Sequence, residues 1–343
     1  MLQASTLLLA AVVLTSGCTP SGFLARQFVR APKTFPQIVS PAPRVYYSFP
    51  QVGITEFPLQ LATVDPPSMT LAYRLVPPAD YHARMVITQH NGSGPARPLY
   101  DFKARIPGSP TPFSTHPRGT VVLLHGYGLD QDTMLPWALF LAQSGWNCVL
   151  VDLRGHGESS GERIYFGIRE ASDLTALISE LMRREQVAAP INVVGVSYGA
   201  AVALRWATVD PRVNGVVVIT PYSRLNDAIE GLRSNFANWL PAGLIQRAAR
   251  KIPGLVGVSF DGLDPQEWLQ DNKIDALFVA AGDDPVAPIK SVEALAIRAG
   301  AHPVITLPGI SHEQAPFQIE VLREPVTEWL RSVSAGTAGK VAN

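Results

Sequence analysis

The stretch Val193-Val194-Gly195-Val196-Ser197-Tyr198-Gly199-Ala200 joins an apolar run to an alanine-rich segment through a Gly-x-Ser-x-Gly turn. The apolar run has the length of a buried strand, and the alanines that follow recur at helical spacing. A serine at the apex of such a turn adopts a strained backbone conformation, for which Gly195 and Gly199 leave room. We therefore predict a strand, a sharp turn and a helix, with the Ser197 hydroxyl exposed above a sheet.

The same turn places a backbone amide beside the serine. Tyr198 begins the predicted helix, so its amide lies at the positive end of the helix dipole and can face an oxyanion that develops at Ser197. A Gly-x-Ser-x-Gly pentapeptide also occurs by chance in loops. The rest of the chain must therefore supply a base, an acid and a second oxyanion donor.

The composition fits one large globular domain with short appendages. The chain has 343 residues, with 28 Lys and Arg against 28 Asp and Glu. A formal net charge of zero gives no electrostatic reason to expect a nucleic-acid partner. We find no His-x-His or Cys-x-x-Cys pair and no Gly-rich phosphate loop, so we expect neither a metal nor a cofactor. The sequence does not predict the oligomeric state.

The N-terminus resembles a bacterial lipoprotein signal peptide over residues 1–17. The apolar run from 7 to 14 is too short to span a bilayer, and it ends at Thr15-Ser16-Gly17-Cys18. The resemblance implies a lipid on Cys18 and a membrane-anchored protein of the bacterial cell envelope. Thr19 after the cysteine favours the periplasmic side of the outer membrane. The alternative is an ordinary secretory signal that happens to contain a cysteine.

Three segments precede the regular part of the chain. Residues 18–51 hold six prolines without clear periodicity, which predicts an extended tether. Alternating patches at 59–62 and 70–75 predict antiparallel strands at the start of a sheet. The polar segment from 89 to 118 predicts a long loop that either flanks the site or is a surface excursion.

From residue 120 onward, predicted strands alternate with predicted helices, which implies right-handed crossovers and a doubly wound, mostly parallel sheet. The predicted strands cover residues 121–124, 148–151, 191–196, 213–220, 276–280 and 304–307, and the predicted helices cover residues 132–143, 166–184, 198–208, 291–298 and 316–333. The alternation stops over 222–272, where the pattern is helical only. The α/β core is thus predicted in two parts, 52–221 and 273–335, followed by a disordered tail over 336–343.

Together these features resemble the α/β-hydrolase superfamily. The turn matches its nucleophile elbow, and Asp152-Leu153-Arg154-Gly155-His156-Gly157-Glu158-Ser159 matches the Asp-x-Arg-Gly-x-Gly-x-Ser loop of one branch. That branch contains monoacylglycerol lipases, esterases and S33-type serine aminopeptidases. The resemblance covers residues 60–335. It implies that Asp152, Arg154 and His156 brace the elbow and that the helical insertion is a cap over the site.

The apolar side chains of the insertion have two possible roles, because they can line an acyl pocket or pack against the body of the protein. These residues are Phe236, Trp239, Leu240, Leu244 and Ile245.

A serine hydroxyl needs a base that takes its proton, and in this superfamily the chain order is serine, acid, histidine. Only His302 and His312 follow Ser197. His302 precedes the last predicted strand, whereas His312 follows it, at the carboxyl edge that holds the site in doubly wound sheets. We therefore predict His312 as the base.

The acid is expected after the preceding strand, where Ala281-Gly282-Asp283-Asp284-Pro285-Val286-Ala287-Pro288 lies. The family places the acid four residues before the closing proline, which selects Asp284. The neighbouring Asp283 is the alternative. The carboxylate would hold the imidazole of the base in the required tautomer.

The second oxyanion donor is expected in the loop after the first parallel strand. His125-Gly126-Tyr127-Gly128 follows that strand directly and resembles the His-Gly-x-x oxyanion loop. The resemblance makes the Tyr127 amide the partner of the Tyr198 amide, and it makes His125 a residue that braces the loop. Of the two cysteines, Cys148 lies in an apolar strand. If Cys18 carries a lipid, Cys148 is a buried free thiol.

The resemblance implies a serine hydrolase that cleaves a carboxylic ester with an aliphatic acyl group, through an acyl-enzyme on Ser197. The substrate is then a small-molecule ester or a lipid. A thioesterase, an acyltransferase or an aminopeptidase of the same fold is an alternative, and a non-catalytic envelope scaffold is another. An aminopeptidase would need acidic residues in the insertion to hold a substrate amine. The insertion offers Glu230, Asp261, Asp264 and Glu267.

Overall fold

The structure is a computed structural model that describes residues 19–32, 46–48, 57–64, 68–90, 97–105, 117–300 and 304–341. Cys18 and the predicted signal peptide lie outside the described residues, as does His302. The lipid anchor therefore stays a prediction.

The described residues form strands and helices in an order close to the predicted alternation. The strands are β1 Tyr46–Ser48, β2 Gln60–Val64, β3 Met69–Val76, β4 Arg84–His90, β5 Arg97–Lys103, β6 Thr120–Leu124, β7 Asn147–Val151, β8 Ile191–Val196, β9 Val213–Ile219, β10 Ala276–Asp283 and β11 Ile305–Ser311. The α-helices are α1 Pro20–Val29, α2 Leu135–Gln143, α3 Ile168–Arg183, α4 Tyr198–Val209, α5 Leu225–Phe236, α6 Ala242–Ala249, α7 Ile252–Val256, α8 Pro265–Trp268, α9 Ile289–Ala299 and α10 Ile319–Val341.

Eight strands form the main sheet, in the order β11-β10-β9-β8-β6-β7-β3-β2. The six strands from β6 to β11 pair in parallel, whereas β3 pairs antiparallel with both β2 and β7. The doubly wound, mostly parallel sheet and its antiparallel start are therefore confirmed.

The central strands are buried on both faces, as a sheet covered by helices on both sides requires. In β6, Val122 and Leu124 belong to one core cluster, while Val121 and Leu123 belong to the other. All four are fully buried. Each such side chain stabilises the fold by roughly 2 kcal/mol. The carboxyl ends of these strands are thus held on a rigid frame.

A second sheet corrects the long loop predicted over 89–118. Strand β5 lies inside that segment and pairs with β1 and β4. Tyr100 and Phe102 are buried in the core cluster of one face of the main sheet. The alternation of buried and exposed residues in β5 includes only these two buried positions. This pattern is too short to predict a strand among the surrounding prolines and glycines. Residues 106–116 lie outside the described part.

The N-terminal helix α1 corrects the extended tether predicted over 18–51 at residues 20–29; residues 33–45 and 49–51 lie outside the described part. Thr19 caps the helix by accepting a hydrogen bond from the Gly22 amide, and Pro20 occupies its first turn. Ser21, Ala25 and Val29 repeat every four residues and are buried, and α1 packs against α6 and α7. The six prolines of the segment led to the prediction of extended chain. Pro20, however, lies in the first turn, where a helix tolerates proline.

The insertion predicted over 222–272 contains the helices α5 to α8. Part of its apolar surface is packed: Ile245 is buried in a core cluster of the protein, and Leu240 packs partly buried against the same cluster. Trp239 is 46% exposed, and the acyl-pocket role of the insertion stays a prediction. We call residues 222–272 the cap below.

The last helix extends past its predicted end. Helix α10 runs from Ile319 to Val341, so most of the predicted disordered tail over 336–343 is helical. A helix that is already nucleated by packing gains one hydrogen bond for each residue it adds, which offsets weak propensity at its end. Within the described part of the chain, no helix is both long and apolar enough to cross a membrane.

Candidate active site

The turn after β8 has the strained geometry that the sequence predicts. Ser197 has φ 50° and ψ −111°, and helix α4 starts at the next residue. A Cβ on Gly195 would collide with the backbone of Gly199, and a Cβ on Gly199 would collide with the carbonyl oxygens of Leu124 and His125. The two glycines are therefore required by the close approach of neighbouring backbone.

Ser197, His312 and Asp284 form a continuous chain of hydrogen bonds. The Oγ of Ser197 lies 2.8 Å from Nε2 of His312, and Nδ1 of His312 lies 2.7 Å from Oδ2 of Asp284. A carboxylate accepts only, so the network assigns the ring proton to Nδ1 and leaves Nε2 free to accept from the serine. The arrangement suits proton transfer from serine to histidine.

Each member of this group sits just past the end of a different parallel strand. Ser197 follows β8, Asp284 follows β10, and His312 follows β11. Because the carboxyl ends of parallel strands lie at one edge of the sheet, residues far apart in sequence meet there. His312 and Asp284 are 8% and 6% exposed, so the group is largely shielded from solvent.

The structure distinguishes the two adjacent aspartates. Oδ1 of Asp284 accepts the amides of Val286 and Ala287 at 2.8 and 2.9 Å, while its other oxygen faces His312. Asp283 is exposed and pairs with Ser311 at the end of the strand ladder. Asp284 thus occupies the position beside the histidine.

The two amides predicted as oxyanion donors come from segments that adjoin Ser197. A Cβ on Gly126 would lie 3.8 Å from the Ser197 Cβ, so the loop after β6 rests against the elbow. Tyr127 is the next residue, and Tyr198 is the first residue of α4, whose amide has no intrahelical acceptor. The rings of the two tyrosines meet edge to face, with centroids 6.2 Å apart.

Comparison with known structures identifies this architecture. The esterase Pf2001 of Pyrococcus furiosus superposes with a TM-score of 0.56 at 20% identity, over 85% of this chain and 99% of that chain. A hydrolase from Pseudomonas aeruginosa superposes with a TM-score of 0.52 at 19% identity, over 79% and 98%. The chain has the α/β-hydrolase fold.

Sequence comparison finds two further similarities. The model of the family described as serine aminopeptidase, S33, matches residues 115–257. The uncharacterized protein YqkD of Bacillus subtilis is 31% identical over 88 residues, which cover 26% of this chain and 29% of that protein. The family match agrees with the branch of α/β-hydrolases that the sequence motifs resemble.

His125 braces the loop after β6, as the sequence predicts. It is fully buried, its Nδ1 lies 2.8 Å from the Gly126 carbonyl oxygen, and its Nε2 accepts the Leu153 amide at 3.0 Å. Burial lowers the pKa of His125 to about 4, against a smaller raising effect of its bond to the Gly126 carbonyl. A neutral ring with both nitrogens engaged holds the loop and is not available as a base.

The Asp-x-Arg-Gly motif also has bracing contacts. Arg154 makes two hydrogen bonds to buried Asp173, at 2.8 and 2.6 Å. Asp152 accepts the Gln131 amide at 2.7 Å, and burial raises the pKa of Asp152 to about 6. Ser159 links the Asp152 carbonyl oxygen to the Ala72 amide. These bonds tie the end of β7 to α3, to β3 and to the segment after the oxyanion loop.

Three residues beside the predicted group were not found from the sequence. The carboxylate of Glu313, next to His312, accepts Nδ2 of Asn235 at 2.7 Å and Oγ of Ser311 at 2.8 Å. Gly231 lies against the backbone of Pro285 and Val286. The adjacency of Glu313 to the histidine was a usable signal, whereas nothing in the cap sequence distinguishes Gly231 or Asn235.

Three of the four cap acids considered for amine binding have partners within the chain. Glu230 pairs with Arg233 at 2.7 Å, Asp264 accepts the Leu225 amide at 2.8 Å, and Glu267 accepts Nε2 of Gln266 at 2.9 Å. These bonds favour a structural role for the three carboxylates.

Proposed function

We propose that this α/β-hydrolase is a serine esterase that cleaves carboxylic esters through an acyl-enzyme on Ser197. The observation that carries the proposal is the hydrogen-bond chain from Ser197 through His312 to Asp284, at 2.8 and 2.7 Å. It lies at a strained elbow, where the nucleophile projects from the edge of the sheet. The S33 family match and the similarity to an esterase fold support the same reaction class.

In the first half of the proposed reaction, Oγ of Ser197 attacks the ester carbonyl while Nε2 of His312 takes its proton. Asp284 stabilises the imidazolium that forms and keeps the ring oriented. The amides of Tyr127 and Tyr198 bind the oxyanion, and losing one such donor typically costs about 3 kcal/mol of transition-state stabilisation. His312 then protonates the leaving alcohol, and the acyl group remains on Ser197.

In the second half, a water molecule replaces the alcohol. Nε2 of His312 takes a proton from the water as its oxygen attacks the acyl carbon, and the same two amides bind the second oxyanion. The bond to Oγ breaks, His312 returns the proton to Ser197, and the carboxylic acid leaves. The charge on Asp284 is unchanged through the cycle.

We propose an aliphatic ester or a lipid as the substrate. The cap presents apolar side chains that are only partly covered, including Trp239, Leu240 and Leu244, and partly covered apolar groups suit an acyl chain. An ester is favoured over a peptide with a free amine because Glu230, Asp264 and Glu267 already accept hydrogen bonds within the chain.

A fluorophosphonate probe tests the nucleophile. We expect intact mass to show one adduct on the wild type, mapped to Ser197, and none on Ser197→Ala. Ser223→Ala is a suitable control because Ser223 is buried in the cap and should keep full labelling. A folded wild type that takes no adduct would contradict the proposal and favour a non-catalytic scaffold.

A substrate panel tests the reaction class. We expect hydrolysis of p-nitrophenyl esters, with kcat/KM rising from acetyl to medium acyl chains, and little turnover of aminoacyl p-nitroanilides. A preference for acyl-thioesters or for the anilides would replace the ester assignment with thioesterase or aminopeptidase. Transfer of the acyl group to added alcohol in excess of hydrolysis would indicate an acyltransferase.

We also propose that a lipid on Cys18 anchors the protein in the bacterial envelope, on the periplasmic side of the outer membrane. Helix α1 begins two residues after Cys18 and packs against the cap helices α6 and α7. Two residues reach at most about 7 Å. An anchored Cys18 would therefore keep the cap close to the membrane surface, where a lipid ester is available.

Metabolic labelling with a fatty acid tests the anchor. We expect label on the wild type and on Cys148→Ser, since Cys148 is a buried thiol, and no label on Cys18→Ser. Label that survives in Cys18→Ser, or a wild type that is never labelled, would leave an ordinary secretory signal as the explanation of residues 1–17.

A further inference from the structure

Helix α5 of the cap touches the loop that carries the proposed base. Asn235 lies in its last turn, and its Nδ2 donates to Oε1 of Glu313 at 2.7 Å. The other oxygen of Glu313 accepts Oγ of Ser311 at 2.8 Å. The carboxylate next to His312 thus binds the cap on one side and the residue before the histidine on the other.

The same helix touches the loop that carries the proposed acid. Gly231 lies one turn before Asn235, on the same face of α5. A Cβ at Gly231 would collide with the Pro285 carbonyl oxygen and would lie 2.6 Å from the Val286 Cα. The Val286 amide donates to Asp284 at 2.8 Å, so α5 packs on the backbone that holds the acid in place.

We propose that this face of α5, formed by Gly231 and Asn235, sets the relative position of the acid loop and the base loop. The two residues and Glu313 are positioning residues, and this role rests on the proposed esterase function. The loops follow two neighbouring strands, and α5 contacts both of them from the cap. A productive triad tolerates displacements of about 0.5 Å. Cap docking is therefore coupled to the alignment of His312 with Asp284 and Ser197.

Removal of the asparagine side chain tests the contact at the base loop. We expect Asn235→Ala to lower kcat for a p-nitrophenyl ester about tenfold, since a 1 Å misplacement of a catalytic group can cost about 100-fold and the loss of one hydrogen bond should cause a smaller displacement. KM and the melting temperature should stay near the wild-type values. The matched control is Asn238→Ala, an exposed asparagine of the same cap segment, which should behave as the wild type. Equal effects of the two variants would overturn the proposal.

A double-mutant cycle tests whether Asn235 acts through Glu313. If both residues act through one hydrogen bond, Asn235→Ala should have little further effect on kcat in a Glu313→Ala background. Additive losses would show that Asn235 does not act through Glu313 and would overturn this part of the proposal. Ser311→Ala separates the second bond of the carboxylate from the contact to the cap.

A glycine pair tests the contact at the acid loop without touching any hydrogen-bonding side chain. Gly231→Ala must displace either α5 or the acid loop, so we expect kcat to fall by up to about 100-fold. Gly243→Ala, in cap helix α6, meets only the Arg247 side chain at 3.7 Å and should keep wild-type kcat. Unchanged kcat in Gly231→Ala would overturn the coupling. If this variant fails to fold, the Asn235 variants still test whether α5 positions the two loops.

Different measurements report the esterase activity and the positioning role of α5. Turnover by the wild type reports the proposed esterase, and the ratio of each variant to its matched control reports the role of α5. If the wild type labels with a fluorophosphonate but hydrolyses none of the esters, the labelling rate of Ser197 replaces kcat in the same comparisons. Wild-type labelling rates in Asn235→Ala and Gly231→Ala would then overturn the positioning role.

Discussion

At the elbow, Ser197 lies between two glycines that press directly against backbone, Gly195 against the start of helix α4 and Gly199 against the end of strand β6 and the loop after it. At the cap, helix α5 reaches the acid and base loops through one close backbone contact and one hydrogen bond from Asn235. Backbone segments packed this closely in a buried core have no low-energy way to move apart, whereas a half-buried hydrogen bond can break and reform. Ser197, the proposed nucleophile, is thus held rigidly, while in the proposal above the alignment of His312 and Asp284 depends on a contact that can open.

The largest change is expected where the two regions meet, at Asp284, the proposed acid. Asp284→Asn should lower kcat about 10⁴-fold, because an amide that donates to Nδ1 favours the wrong tautomer of His312. The measurement is steady-state hydrolysis of a p-nitrophenyl ester.

Asp283→Asn is the matched control for this prediction. Asp283 is exposed beside the acid, so its variant should stay within about twofold of the wild type, as surface changes usually do. A large loss of activity in Asp283→Asn, together with an active Asp284→Asn, would show that Asp283 and not Asp284 is the acid.

Smaller but clear effects on stability should separate the elbow from the cap. Gly199→Ala should lower the free energy of unfolding by at least about 3 kcal/mol, because its Cβ has to displace the Leu124 and His125 carbonyls. Gly254→Ala, inside cap helix α7, has no heavy atom within 4 Å of the added carbon. It should be neutral or more stable by up to about 1 kcal/mol. Urea unfolding measures both, and equal losses at the two positions would contradict the contrast.

The smallest effect concerns the pH dependence of cap stability. Asp264 accepts the amide at the start of α5, and burial raises the pKa of Asp264 from 3.8 to about 6. The folded state therefore holds this proton more tightly than the unfolded state. The contribution of protonated Asp264 to the free energy of unfolding is complete below pH 3.8 and is lost as the pH rises through about 6.

Asp264→Asn removes this titration and keeps an oxygen that accepts the Leu225 amide. The free energy of unfolding of the variant, relative to the wild type, should therefore increase between pH 4.5 and pH 7, as measured by urea unfolding at both values. A difference that stays constant with pH would show that Asp264 does not titrate as expected. The exposed Asp261 provides the control variant Asp261→Asn.

Local patterns predicted most of the candidate site. The strand, turn and helix around Ser197 were correct because strain and close packing at that turn demand small residues within five positions. The order and spacing of the motifs also led to His312 and to Asp284, which the structure brings together with Ser197. Buried parallel strands were visible as apolar runs, since both of their faces are covered.

The errors lie where local composition and final packing disagree. Helix α1 was predicted as extended chain because prolines dominate the segment, yet its buried positions Ser21, Ala25 and Val29 follow helical spacing against the cap. Strand β5 was predicted as loop because its inward alternation is short. In both cases packing against another element supplies the stability that local propensity lacks.

The sequence by itself determined the elbow and the positions of His312 and Asp284, the proposed base and acid, because each depends on a few adjacent residues and on strand order. Only the tertiary structure decided how the cap meets this group. Asn235 and Glu313 are 78 positions apart in the chain, and Gly231 meets the backbone of Pro285, which also lies far from it in the sequence. Contacts of this kind leave no local pattern, because they depend on how one packed element lies against another.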